Sequence, residues 1–114
     1  MAKTSQIQIN VKLNDDNHPI GIEWKSDDNP SGTGLQSAKA MMLSLFDKEY
    51  KDTFKIDLWT EELQVIEMDR FVYQALKSMG DTYFKATNNT KLANDIQRFA
   101  QYFGEETETI KKEG

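Results

Sequence analysis

The sequence predicts an α+β fold: a small three-stranded sheet, antiparallel or mixed, covered on one face by three helices in the order β-β-α-β-α-α. Three observations carry that expectation. Apolar residues alternate singly in three short runs, the period of strands with one wet face. They recur at helical spacing in three other segments, and clusters of turn-forming residues divide the chain between them.

The first run sets Ile7, Ile9, Val11 and Leu13 against Gln6, Gln8, Asn10 and Lys12. Asn14-Asp15-Asp16-Asn17-His18 is turn chemistry, and alternation resumes as Ile20, Ile22 and Trp24 against Gly21, Glu23 and Lys25. These two runs make an antiparallel hairpin. Thr33-Gly34-Leu35-Gln36 then has the form of a capping box. It predicts a first helix with Leu35, Ala38, Met42, Leu45 and Phe46 along one stripe, ended by the polar stretch Lys48 to Asp52. The third strand places Phe54, Ile56 and Leu58 against Thr53, Lys55 and Asp57. It can lie parallel beside the second strand through a right-handed crossover, or antiparallel beside the first.

Thr60 is the expected cap of a second helix, with Glu61 and Glu62 in its first turn, where the helix dipole favours acid. A broad stripe from Val65 through Met68, Val72, Leu76 and Met79 to Tyr83 suits it to sealing the open sheet face. Ile66, Tyr73 and Phe84 fall on a separate line outside that arc. After the break Ala86-Thr87-Asn88-Asn89-Thr90, a third helix carries Leu92, Ala93, Ile96, Phe99, Ala100 and Phe103 on one face. The short connection favours its folding back antiparallel on the second line. Residues 1–104 read as one globular domain, and residues 105–114 as a charged tail that either extends the last helix or frays.

Composition works mainly by exclusion. The chain has 114 residues, 14 basic against 19 acidic, one His and no Cys. Without Cys there is no zinc-thiolate site, disulfide or cysteine nucleophile. A net charge of -5 disfavours nucleic acid and anionic lipid, which reward clustered Lys and Arg. No run of 18 apolar residues offers a membrane span, and the N-terminus lacks the apolar core of a signal peptide. The expectation is a cytoplasmic protein without direct membrane insertion.

Motifs for chemistry fail one by one. His18 stands beside Pro19 in a turn with no nucleophile elbow to serve. Asp27, Asn29 and Ser31 alternate like the opening of a calcium loop, with Gly32 at the sixth place. The twelfth place, which needs a bidentate Glu, is Ala38, so a solvated turn is the better reading. Asp57, Glu61, Glu62, Glu67 and Asp69 read as solvated, dipole-favoured acid, with no sign of two carboxyls facing across a cleft. Gly32 and Gly34 lack the rest of a phosphate loop. Trp59, directly after Leu58, points to the wet side of its strand, either tucked under the next helix or open to a partner. Met41, Met42, Met68 and Met79 suit either core filling or an adaptable pocket.

Two distinctive strings resemble the gliding motility protein GldC family when taken together. They are Ala38-Lys39-Ala40-Met41-Met42 and Ile56-Asp57-Leu58-Trp59-Thr60, followed by Gln74-Ala75-Leu76, Met79-Gly80-Asp81-Thr82 and Ala86-Thr87. The resemblance runs from the first strand to about Phe103. Phe46 and Gly80 depart from it, where Trp and Ala are expected. It implies a small soluble accessory protein of bacterial gliding that acts, directly or indirectly, with the lipoprotein GldB, and it brings no catalytic residues. The expected function is therefore a non-enzymatic adaptor without cofactor or metal, binding a protein partner through Trp59, Ile66, Tyr73 and Phe84. The same surface would alternatively join two copies as a homodimer. The alternative function is a small apolar-ligand carrier or chaperone-like protein with an internal pocket.

Overall fold

A computed structural model describes residues 2–112. The elements run β1 (Ile7–Leu13), β2 (Pro19–Ser26), β3 (Gln36–Ala38), β4 (Ala40–Phe46), β5 (Thr53–Trp59), α1 (Val65–Thr87) and α2 (Thr90–Glu106). They divide into two compact units, Met1–Leu63 and Gln64–Gly114. The α+β class is as expected, but two helices stand where three were predicted. Two antiparallel sheets, β1-β2-β3 and β4-β5, replace the single sheet.

In the strand unit, β1 and β2 form the predicted hairpin, with Ile9 opposite Trp24 and Val11 opposite Ile22. Asn14 wires its turn: Oδ1 accepts the backbone N–H groups of Asp16 at 2.9 Å and His18 at 3.0 Å. Asn17 adopts a left-handed φ of 63°, which Asn tolerates better than most residues.

The predicted first helix is absent, and residues 36–46 form β3 and β4, separated only by Lys39. Gln36, expected to close a capping box, instead pairs with Trp24. The run contains both periods: Leu35, Ala38, Met42 and Leu45 fit a helix, whereas Met41, Leu43 and Leu45 alternate. The alternating set wins because it meets Leu58, Ile56 and Phe54 directly across β5. The third predicted strand, β5, thus pairs with neither the first nor the second but with β4. The polar stretch expected to end a helix is a hairpin turn in which Asp47 Oδ2 accepts the N–H groups of Glu49 at 3.0 Å and Tyr50 at 2.7 Å.

The helical unit is an antiparallel hairpin of α1 and α2, as the short connection requires. Its first helix starts later than predicted, with Gln64 and not Thr60 as N-cap. Thr60 is engaged elsewhere: its N–H donates to Lys39 O at 2.8 Å and its carbonyl accepts Leu63 N–H at 3.1 Å. Glu61 and Glu62 consequently lie in a turn ahead of α1, and Glu67 is the acid of the first turn, accepting Gln64 N–H at 3.0 Å. Two adjacent asparagines make the corner. Asn88 ends α1 at a left-handed φ of 58°, and Asn89 Oδ1 caps α2 by accepting Leu92 N–H at 3.1 Å.

The hairpin's buried residues are small: Gly80, Ala93, Ala100 and Gly104. A Cβ on Gly104 would lie 2.7 Å from Tyr73 Cε1 and 3.0 Å from Ile110 Cγ1, so α1 and the chain after α2 both press on that glycine. Gln97 crosses the seam, its Nε2 donating to Lys77 O at 2.9 Å and Asp81 Oδ1 at 3.1 Å. Beyond α2 the chain turns back, with Ile110 N–H donating to Gly104 O at 3.1 Å.

Candidate functional site

In the strand unit the pleat of β5 puts Asp57 and Trp59 on one face and Ile56 and Leu58 on the other. Trp59 is 58% exposed, on the wet side that the alternation predicts. A hollow of about 390 Å³ lies at the end of this strand, walled by His18, Pro19, Asp57, Trp59, Thr60 and Glu61 together with Leu58 and Leu63. Lys55 Nζ sits 3.2 Å from Asp57 Oδ2. Thr60 is only 3% exposed, yet its Oγ1 has no hydrogen-bond partner. A buried hydroxyl in that state costs stability.

The other residues expected to contact a partner lie in the helical unit and differ in their surroundings. Ile66 is 66% exposed. Tyr73 is half-buried, its ring against Gly104 of α2. Phe84 lines a hollow of about 210 Å³ at the seam with Gly80, Thr90, Ala93 and Gln97. On the second line of α1, Tyr73 therefore seats α2, whereas Ile66 and Phe84 keep exposed surface.

The other side of the hairpin holds a feature that sequence reasoning missed. Leu76, Met79 and Tyr83 from α1 meet Leu92, Ile96 and Phe99 from α2 along an open groove of about 540 Å³, with Asp95 as its polar member. Both sets of residues were visible as apolar stripes. Each stripe alone suits a face to be buried, and only the pairing of the two helices makes them walls of one groove. Asp95 is held at the rim by Lys91, 3.4 Å away, and by Arg98. The Phe99 and Tyr102 rings, with centroids 6.0 Å apart, continue the aromatic surface.

The loop that resembles a calcium site spends its side chains on structure. Asp27 Oδ2 accepts Gln6 N–H at 3.0 Å, Asp28 accepts the Ser5 hydroxyl, and Asn29 Oδ1 accepts Ser31 N–H at 3.1 Å. Among the described residues, no three His, Cys, Asp or Glu side chains are grouped to hold a metal ion, and no helix is long and apolar enough to cross a membrane.

Residues 19–109, from β2 through the turn that follows α2, match the family described as gliding motility-associated protein GldC-like. The chain belongs to the GldC-like family. The match takes in the lining of the Trp59 hollow apart from His18, and the whole groove of the hairpin. No curated protein and no solved structure gives a match.

Proposed function

We propose that this GldC-like chain is a non-enzymatic accessory protein of gliding motility that acts by binding another protein, in association with the lipoprotein GldB. The observation that carries the reading is the open groove lined by Leu76, Met79, Tyr83, Leu92, Ile96 and Phe99. An apolar surface of this kind, rimmed by the charges of Asp95, Arg98 and Lys91, has the anatomy of a protein contact. Trp59, Ile66 and Phe84, all exposed, are further contact positions, whereas Tyr73 is occupied mainly in holding the two helices together.

The test is capture of GldB by the purified chain, comparing wild type with Met79→Asp and Phe99→Asp. Both residues are more than half exposed, at 57% and 53%, so the variants should fold. Tyr73→Asp is unsuitable, because it would also break the contact at Gly104. GldB retained by wild type and lost by both variants, with helical ellipticity unchanged, supports the groove. Equal retention by all three removes the groove from the reading, and no GldB retained by wild type removes the partnership.

A further inference from the structure

We propose that the hollow at the end of β5 receives a cationic side chain, the guanidinium of an arginine presented by a partner polypeptide. It rests on the adaptor reading only for the source of that arginine; the chemistry of the hollow stands on its own residues.

Asp57 and Trp59 project from the same face of β5, and Glu61 follows in the turn held by the Thr60 carbonyl and Leu63 N–H. An exposed indole beside two carboxylates suits a guanidinium closely. The planar cation is weakly hydrated, stacks on an aromatic face and offers several N–H donors to carboxylate oxygens. Thr60, itself buried, is part of the same wall.

The resting structure already places a cation at the margin of the hollow, Lys55 against Asp57, with side chains 53% and 42% exposed. An ion pair that open contributes little and is readily exchanged for a better-fitting cation. The competing occupants fit worse. A phosphate would meet Asp57 and Glu61 with no Lys or Arg among the lining residues, and a purely apolar ligand would strip water from two carboxylates without replacing it. The net charge of -5 also favours the approach of a basic segment.

An acetylated, amidated hexa-arginine peptide is the probe, titrated against the full chain while the indole N–H signal of Trp59 is followed by NMR and identified with Trp59→Phe. Saturable movement of that signal is expected, with hexa-lysine weaker and hexa-glutamate inert. Asp57→Asn with Glu61→Gln should weaken binding about tenfold or more, the loss of at least one charge-assisted contact. The control Glu105→Gln with Glu106→Gln removes two charges from the other unit and should leave binding unchanged. No binding of hexa-arginine overturns the proposal. So does equal weakening by the control pair, which would reduce the effect to net charge. Met79→Asp should bind hexa-arginine like wild type, so loss of the GldB contact and loss of arginine binding are read separately.

Discussion

The two units solve the same problem, holding a short chain in one shape, by different means. In the helical hairpin the buried positions are small, and side chains press closely on the glycines, Gln97 on Gly80 and Tyr73 on Gly104. In the strand unit the buried apolar side chain is Ile22, while side-chain acceptors on Asn14, Asp27 and Asp47 fix the turns and strand ends. Close approach in the hairpin leaves large apolar side chains over for an outer groove. Polar fastening in the strands leaves aromatic and acidic groups over for a hollow. The surfaces available to partners therefore differ in chemistry because the internal supports differ.

Four substitutions would break or sharpen that contrast. Trp24 and Trp59, both in the strand unit, report its unfolding by fluorescence, and far-ultraviolet ellipticity follows the helices. The largest loss is expected from Ile22→Ala, at 2% exposure the main apolar anchor of the strands: about 3 kcal/mol in urea unfolding read by fluorescence. A change under about 1 kcal/mol would show that the ladders and turns suffice without it. Gly104→Val should cost about 2 kcal/mol by ellipticity, because its side chain would enter the Tyr73 ring and Ile110. Thr60→Val has the opposite sign, a gain of about 1 kcal/mol on removing an unpartnered buried hydroxyl; a loss would reveal a bond to that oxygen. Gly80→Ala should lie within about 0.5 kcal/mol of wild type. The nearest neighbours of its new Cβ belong to the flexible Gln97 side chain, and better helix propensity offsets the Gln97 hydrogen bonds that are lost.

The residues that misled are as instructive as those that did not. Leu92, Ile96 and Phe99 identified the last helix, since their spacing has one interpretation, and Asn88-Asn89 marked the corner between helices. Residues 36–46 carried two periods at once, and the helical one was strengthened by a capping pattern whose Gln36 turned out to face Trp24. Thr60 looked like a cap because its residue type suits one, but its backbone was already committed to Lys39 and Leu63. At the sites, the strand face that carries Trp59, though not whether its ring is tucked or open, was legible from its position after Leu58. The hairpin groove was not, because it requires two stripes from different helices to be set side by side.

The sequence by itself determined the α+β class, the first hairpin, β5 as a strand, both long helices and the absence of cysteine chemistry. In helices, and in a hairpin whose strands carry a single period, the hydrogen bonds are local and nearby residues announce them. Only the tertiary structure decided that β3 and β4 are strands, that Tyr73 belongs to the helix seam, and that Thr60 joins a hollow instead of capping a helix. Each of those outcomes depends on a partner elsewhere in the chain: β5 across from β4, Gly104 against Tyr73, and Lys39 accepting from Thr60.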